Sequence, residues 1–240
     1  MINYNELKLS NSVNDSEFSF KDNFFYSSNF NLEWFKELNI EPKIILDIGA
    51  YDFGDSIKYK TSFPNSQVFA FEADLERYEK TNKFAEECGI KTYNIAVFSQ
   101  SGTVDFFPAK CNLKDAGSFH NPGEHGGQGS IFKTTEKYRN NFPHIVQNIE
   151  SVKVDSITIS DFCESNHINE VSLIQIDVEG AELEIFKGFG KIRPKLIYVE
   201  VQDNLFHNNS SPALVDNFLS DMGYVILKND RTNKLYIYNK

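Results

Sequence analysis

The sequence has few cysteines and few arginines, and each shortage argues against a class of protein. Its three cysteines, Cys88, Cys111 and Cys163, are widely spaced and include no CxxC pair, so neither a disulfide framework nor a zinc site is expected. Only four of the 240 residues are arginine, and the formal net charge is −10. Because a nucleic-acid partner needs a basic face that displaces phosphate counterions, we expect no such partner.

Long apolar runs are missing as well. Residues 1–18 are polar where a signal peptide would need an apolar core, and no later run approaches the roughly 20 residues of a membrane-spanning helix. We therefore expect a cytoplasmic protein that does not insert into a membrane. The 40% of hydrophobic and 14% of aromatic residues supply the core of a single domain over residues 1–240.

From Lys43 onward, short apolar runs alternate with amphipathic stretches, which is typical of a parallel sheet covered by helices. The predicted strands are rich in Ile, Val, Phe and Leu and comprise residues 44–48, 67–71, 92–97, 173–177 and 196–201. The predicted helices comprise residues 74–88, with Asp74 as N-cap and Gly89 at the end, 160–167, 181–189 and 212–222. A hairpin of residues 224–227 and 235–238 is predicted to close an α/β layer fold.

Two segments depart from this alternation. Residues 1–40 hold scattered aromatic side chains without strand alternation, and we predict one or two short helices at the edge of the domain. Residues 108–150 contain the glycine-rich stretch 117–130 and are predicted to form an irregular insertion. Since long insertions in compact domains tend to be lids or binding loops, a substrate lid is one interpretation and a disordered excursion the other.

The first motif is IILDIGAYDFGDS at residues 44–56, where a buried strand delivers Asp47 and enters a glycine-containing turn before a helix. In open α/β sheets such turns face the ligand crevice. Gly49 would allow the backbone to approach a cofactor closely. The alternative for Asp47 is a simple capping role at the following helix.

The second motif is FAFEAD at residues 69–74, which places Glu72 at the end of the next strand, 23 positions after Gly49. A carboxylate at this place can accept hydrogen bonds from both hydroxyls of a cofactor ribose. Ribose alone does not separate S-adenosylmethionine from NAD, because both cofactors contain it.

The turn chemistry separates the two cofactors. A dinucleotide needs G-x-G-x-x-G for its pyrophosphate, and this turn lacks that pattern. Its acids, Asp47, Asp52 and Asp55, would repel a pyrophosphate but attract the ammonium and sulfonium groups of S-adenosylmethionine.

The third motif is LIQIDVEGAELEIFKG at residues 173–188. A buried strand delivers Asp177 to the carboxyl edge of the sheet, and Glu179 and Gly180 open a helix that carries Glu182. These carboxylates could also be no more than helix-start acids favoured by the macrodipole.

Taken together, the motifs resemble those of FkbM-type methyltransferases over residues 43–227. The landmarks are Asp47-x-Gly49-Ala50, Glu72, Asn94-Ile95-Ala96-Val97, Gly102, Val154-Asp155-Ser156 and Asp177-Val178-Glu179-Gly180-Ala181-Glu182. The resemblance implies a Rossmann-like class I fold, with a mainly parallel seven-stranded sheet, helices on both faces and a C-terminal antiparallel hairpin. It also implies S-adenosylmethionine as donor and methylation of oxygen, and we expect a hydroxyl or a phosphoryl-type oxygen on a small molecule or on a cell-surface glycan or capsule precursor. Phe53 is an extra residue in the family's turn, which predicts a displaced Gly54.

The motifs and the resemblance give a set of candidate site residues. Those expected at the cofactor are Asp47, Gly49, Ala50, Tyr51, Glu72, Ala73, Asn94, Ala96 and Asp177. Those expected at the substrate are Glu179, Glu182, His120 and His125.

An acceptor alcohol has to lose its proton, and a nearby base accelerates such a step by about 10²–10⁴ fold. The catalytic candidates are Asp177 and His207, which follows the strand ending near Glu200; a solvated loop histidine is the alternative for His207. No metal is expected, although Asp177 with Asp203 and Asn204 resembles the Mg²⁺ set of catechol-type O-methyltransferases. An NAD-dependent oxidoreductase and a non-catalytic cofactor-binding subunit remain as alternative functions.

Overall fold

The computed structural model describes residues 7–13, 17–20, 23–111, 127–202 and 211–240. The strands are β1 (Glu17–Phe20), β2 (Asn23–Tyr26), β3 (Ile44–Ile48), β4 (Gln67–Phe71), β5 (Lys91–Tyr93), β6 (Ala96–Val97), β7 (Gly102–Phe106), β8 (Ala109–Cys111), β9 (Ile145–Gln147), β10 (Val152–Ile157), β11 (Leu173–Ile176), β12 (Leu196–Glu200), β13 (Tyr224–Asp230) and β14 (Asn233–Tyr238). The helices are α1 (Glu33–Glu37), α2 (Gly54–Ser62), α3 (Leu75–Glu87), α4 (Glu136–Asn141), α5 (Ile159–Ser165), α6 (Glu182–Lys187) and α7 (Pro212–Asp221).

Seven strands form the central sheet in the order β13-β14-β12-β11-β3-β4-β5. The five strands from β12 to β5 are parallel, and β14 runs antiparallel to both β12 and β13. This is the Rossmann-like class I arrangement with a C-terminal hairpin that the sequence predicts. The chain order reverses between β3 and β11, and in open α/β sheets ligands bind outside the carboxyl ends of the strands at such a switch point.

Both faces of the sheet are covered, which explains why its central strands are apolar without alternation. On one face Ile174 and Phe71 pack with residues of α5, α6 and α7. On the other face Ile45 and Tyr198 pack with residues of α1, α2 and α3, including the buried Trp34. The prediction of helices on both faces is therefore confirmed.

The two ends of α3 are set by the capping residues that the sequence predicts. The Asp74 side chain accepts a hydrogen bond from the Arg77 backbone N–H at 3.1 Å, as an N-cap does. After α3 the chain reverses at Gly89, whose φ of +84° favours glycine. The helix lies within one residue of each predicted end.

In residues 1–40 the predicted short helix is present as α1, but the prediction missed a hairpin. Strands β1 and β2 pair as an antiparallel hairpin, and α1 is the one helix in the described part of this segment. Strands of four residues are too short to show a clear alternation in the sequence. Their formation depends on the contacts that the two strands make with each other. The aromatic residues that follow, Phe30, Trp34 and Phe35, are fully buried against the sheet.

The single strand predicted over residues 92–97 is two strands. β5 belongs to the central sheet, whereas β6 pairs with β10 in a separate sheet that also contains β7. The break falls at Asn94, whose side-chain amide donates to the carbonyls of Glu72 at 2.9 Å and Ala73 at 3.3 Å. Such a side-chain bond gives the chain an alternative to the strand ladder.

The insertion predicted over residues 108–150 is not irregular in its described part. β8 and β9 pair antiparallel, and α4 begins after the N-cap Thr135. Ala109, Cys111, Tyr138 and Ile145 form a small core of their own. These elements have three to six residues each, which is too short for a periodic signal.

The turn after β3 ends at Phe53, which adopts a left-handed conformation with φ of +65° and is fully buried, and α2 begins at Gly54. A Cβ atom on Gly54 would lie 1.7 Å from the carbonyl oxygen of Tyr26. A glycine is therefore needed where the N-terminal segment contacts the start of α2. A displacement of Gly54 relative to the family's turn stays a prediction. Within the described ranges, none of the helices has both the length and the apolarity needed to cross a bilayer.

Candidate functional site

Two adjoining cavities open at the carboxyl ends of β3, β4 and β11. The narrow compartment has a volume of about 60 Å³ and the wide compartment about 330 Å³. Gly49, Tyr51, Gly127 and Asp177 line both. The two therefore form one cleft at the switch point of the sheet.

Gly49 brings the end of β3 against the residue that follows β11. Its φ is +78°, and a Cβ atom there would lie 1.8 Å from the carbonyl oxygen of Asp177. The backbone N–H groups of Gly49 and Ala50 both donate to the carbonyl of Phe71 at 3.0 Å. Only glycine fits this position, because both the conformation and the contact exclude a side chain.

Glu72 fastens the turn from the neighbouring strand. Its carboxylate accepts hydrogen bonds from the backbone N–H groups of Tyr51 at 2.8 Å and Asp74 at 2.7 Å. The side chain lines the narrow compartment, and burial raises the pKa of Glu72 to about 7. Each carboxylate oxygen has a second acceptor site that can face a ligand. Asn94 lines neither compartment, and its amide instead fixes the backbone that carries Glu72.

The narrow compartment is an apolar slot with a polar rim. Its walls include Phe71, Ala73, Ile95, Ala96, Val97 and Val178. At the rim the Arg77 guanidinium lies 3.8 Å from the centre of the Tyr51 ring and 3.6 Å from an Asp52 carboxylate oxygen. An apolar slot beside a carboxylate suits a flat heterocycle attached to a ribose.

The wide compartment is lined by acids. Its carboxylates are those of Asp47, Asp52, Asp55, Asp177, Glu179 and Glu200. Asp47 is buried and accepts a 2.6 Å hydrogen bond from the Ser56 hydroxyl. Burial, followed by repulsion from Asp55, raises the pKa of Asp47 to about 8. Asp47 is therefore a wall of the wide compartment, and its bonds to Ser56 in the first turn of α2 also agree with the capping alternative.

Asp177 stands between the two compartments. Its backbone N–H donates to the carbonyl of Ile48 at 2.9 Å, which continues the ladder between β11 and β3. Asp177 is exposed to solvent in the open cleft, where it lines both compartments. Burial and then repulsion from Glu200 raise the pKa of Asp177 well above its usual range.

The two other acids of the third motif differ in position. Glu179 has a left-handed backbone with φ of +55° and lines the wide compartment. Burial and the neighbouring Asp177 raise the pKa of Glu179 well above its usual range. Glu182 lines neither compartment: it is 2% exposed and accepts a hydrogen bond from the Gly180 N–H at 2.8 Å. The expected substrate contact of Glu182 is thus replaced by a role in shaping the turn.

Several predicted residues lie outside the described part of the chain. These are His120, His125 and His207, together with Asp203 and Asn204 of the magnesium hypothesis. Within residues 7–13, 17–20, 23–111, 127–202 and 211–240, no three His, Cys, Asp or Glu side chains are grouped as a metal site would need.

Sequence reasoning missed the wall that the N-terminal segment contributes. The Ser28 N–H donates to both carboxylate oxygens of Asp55 at 2.9 Å, and the Tyr26 N–H donates to Asp52 at 3.0 Å. Tyr26, Ser27, Ser28 and Asn29 consequently line the wide compartment. The indication in the sequence was the surplus of acidic residues in the turn after β3. Sequence reasoning attributed these acids to ligand binding alone.

Glu182 gives a pH-dependent prediction. Burial raises its pKa from 4.5 to about 7, so the protonated form is favoured in the folded chain. Its contribution to stability is complete below about pH 4.5 and is lost as the pH rises towards 7. Glu182→Gln should raise the free energy of unfolding near pH 8 by about 1–3 kcal/mol and leave it little changed near pH 4.

Urea unfolding of wild type and variant across this pH range measures the effect. Glu164→Gln, at an exposed position on α5, serves as the matched control and should leave the pH profile unchanged. Parallel profiles for wild type and Glu182→Gln would contradict the assignment.

Comparison with known proteins agrees with this geometry. A family model described as the methyltransferase FkbM domain matches residues 47–226. The 2-O-methyltransferase NoeI of Sinorhizobium fredii is 25% identical over 187 residues, which are 72% of this chain and 70% of NoeI.

Two solved structures match with TM-scores below 0.5. A precorrin-6y C5,15-methyltransferase from Geobacter metallireducens matches with 13% identity and a TM-score of 0.41, over 83% of this chain and 81% of that one. A chain of the fibrillarin/Nop5p complex matches with 12% identity and a TM-score of 0.43, over 83% and 74%. Because the family match spans well over half of the 240 residues, the chain belongs to the FkbM methyltransferase domain family and is an S-adenosylmethionine-dependent methyltransferase.

Proposed function

We propose that this chain methylates a hydroxyl oxygen on a small molecule or a glycan precursor. The observation that carries the proposal is the position of Asp177, which lines both the narrow and the wide compartment. A carboxylate at this junction can reach an acceptor on one side while the cofactor is held on the other. NoeI, named as a 2-O-methyltransferase, supports oxygen as the acceptor atom.

The residues of the cleft fit S-adenosylmethionine. Glu72, at the rim of the narrow compartment, would hold the ribose hydroxyls, and the apolar slot between Phe71 and Val97 would hold the adenine. Asp47 and the turn from Gly49 to Tyr51 would face the amino-acid end, whose ammonium suits a carboxylate. When bound, the cofactor supplies a methyl group activated by its sulfonium.

The protein has two tasks in such a reaction. The cleft has to hold the acceptor hydroxyl in line with the methyl group, and this positioning can supply a large part of the rate. Asp177 would accept the proton of the hydroxyl as the oxygen becomes the nucleophile. Its pKa lies above the usual range because of burial and of Glu200, and a carboxylate with a higher pKa is a stronger base.

The acidic lining bears on the kind of acceptor, and the cysteines bear on the location. The six carboxylates of the wide compartment would repel a nucleic-acid backbone, so we propose that the acceptor is not a nucleic acid. The cysteines Cys88, Cys111 and Cys163 are free thiols, which suits the reducing cytoplasm that we propose as its location. The family match favours methyl transfer over the NAD-dependent alternative.

The function is tested in two steps. Calorimetry with S-adenosylhomocysteine measures cofactor binding, and incubation with methyl-labelled S-adenosylmethionine and a panel of sugars and nucleotide-sugars measures transfer. Label in a base-stable ether product is the expected result. Binding without transfer to any acceptor would favour the non-catalytic subunit, and absence of binding at millimolar concentration would contradict the cofactor site.

Glu72→Ala should weaken the binding of S-adenosylhomocysteine by about 1–3 kcal/mol, because two buried hydroxyls would lose a charged acceptor. Titration calorimetry measures the change. The exposed Glu79→Ala on α3 is the control and should bind like wild type. An unchanged affinity in Glu72→Ala would place the ribose elsewhere.

Asp177→Asn should lower kcat by about 10²–10⁴ fold while cofactor affinity changes much less, since the amide cannot take up a proton. Steady-state rates and calorimetry separate the two effects. Asp221→Asn, on the exposed end of α7, is the control. Equal losses of turnover and of binding would argue for a structural role of Asp177.

A further inference from the structure

A row of polar side chains crosses the sheet beneath the wide compartment. Asp47, Gln175 and Tyr198 are direct neighbours in the registers of β3, β11 and β12. All three side chains line the compartment. The row lies on the face of the sheet that α1, α2 and the N-terminal segment cover.

Tyr198 differs from its neighbours in this row. Asp47 is bonded to Ser56, and Gln175 accepts hydrogen bonds from the hydroxyls of Tyr59 and Ser28. Tyr198 is only 2% exposed, and its hydroxyl has no hydrogen-bond partner among the described residues. Buried polar atoms nearly always have a partner, so a lone hydroxyl at a cavity wall points to a ligand.

Packing holds this hydroxyl in place. The ring of Tyr198 lies 5.3 Å from that of Phe30 and 5.9 Å from that of Trp34, centre to centre. Both partners are fully buried. This aromatic cluster therefore fixes Tyr198 at the wall of the wide compartment.

Cations balance only some of the carboxylates in the wide compartment. Asp52 pairs with Arg77, and Lys58 lies near Asp55 while it donates to the carbonyls of Ser28 and Phe30.

Asp177, Glu179 and Glu200 have no ion pair with any described Lys, Arg or His side chain. Glu200 accepts only neutral donors in the described chain, the Thr232 hydroxyl at 3.1 Å and the Gln202 amide at 3.4 Å. Burial and then repulsion from a neighbouring acid, Glu200 for Asp177 and Asp177 for Glu179, raise the pKa of both carboxyls, and a cation between them would offset this repulsion.

We propose that the wide compartment binds a protonated amine of the methyl acceptor, held by the Tyr198 hydroxyl and the carboxylates of Glu179 and Glu200. The acceptor class would then be an amino sugar or a similar hydroxylated amine. An ammonium group carries three donors, and two carboxylates and a phenol oxygen are three acceptors. A phosphate in the same place would be repelled. This inference rests on the proposed methyl transfer and narrows its substrate.

The test uses the full chain saturated with S-adenosylhomocysteine, whose binding is measured first. Glucosamine, N-acetylglucosamine and glucose 6-phosphate are then titrated by calorimetry. They share the hexose ring and carry a cation, a neutral amide and an anion. Glucosamine should bind at least about tenfold more tightly than N-acetylglucosamine, since an ion pair is lost in the amide. Glucose 6-phosphate should not bind measurably.

Two variants test the residues. Tyr198→Phe and Glu200→Gln should each weaken glucosamine binding by about tenfold or more, while the affinity for S-adenosylhomocysteine stays within about twofold. Tyr224→Phe is the matched control, because it removes another buried hydroxyl, one that donates to the Pro194 carbonyl at 3.0 Å outside both compartments. It should leave glucosamine binding unchanged.

The outcomes separate this inference from the proposed function. If S-adenosylhomocysteine binds and glucosamine binds no better than N-acetylglucosamine, the amine site is overturned and methyl transfer stands. Glucosamine that binds only when S-adenosylhomocysteine is absent would occupy the cofactor's own place, which also overturns the amine site. Failure of S-adenosylhomocysteine to bind would remove the proposed function itself.

Discussion

The contact between Gly49 and the backbone of Asp177 is the constraint on which the site depends. The chain turns away from β3 at Gly49, and the carbonyl of Asp177 occupies the space that a Cβ atom on this residue would need. The N–H of Asp177 extends the ladder to Ile48 on the same side. These two contacts set the distance between the turn and the end of β11, so they also set where the two compartments meet.

A second constraint is the concentration of acids in one cleft. Folding brings Asp47, Asp177, Glu179 and Glu200 together without equal positive charge from the described protein. Ionisation of these acids therefore opposes folding, and cationic groups of a ligand would relieve the repulsion between them. Binding, proton release and folding stability are consequently linked in this protein. Sites tuned for charge commonly carry such a cost in stability.

The central sheet could be predicted from the sequence because its strands are continuous apolar runs between clear turns. β3 and β4 have the predicted bounds, and the capping of α3 by Asp74 follows from local chemistry alone. The same reasoning located Glu72 and Asp177 at strand ends, where they line the cleft. The family resemblance drawn from these motifs is confirmed by the match over residues 47–226.

What could not be predicted depends on contacts between distant parts of the chain. Gln175 and Tyr198 lie inside strands buried on both faces, so nothing local marks the face that opens into a cavity. The bond from Ser28 to Asp55 spans 27 positions and has no local signal. The hairpin of β1 and β2 and the short elements between β8 and β9 are stabilised by their partners more than by their own sequences.

The wall formed by Tyr26 to Asn29 precedes the residues that the family domain matches. The backbone N–H groups of Tyr26 and Ser28 attach it to Asp52 and Asp55, and any amino acid other than proline provides such groups. The Ser28 hydroxyl adds contacts to Asp55 and Gln175, so this position needs its side chain while the backbone contacts would survive other substitutions. This wall of the wide compartment and the cofactor motifs therefore lie in different stretches of the polypeptide, so selection can act on the wall while those motifs are preserved.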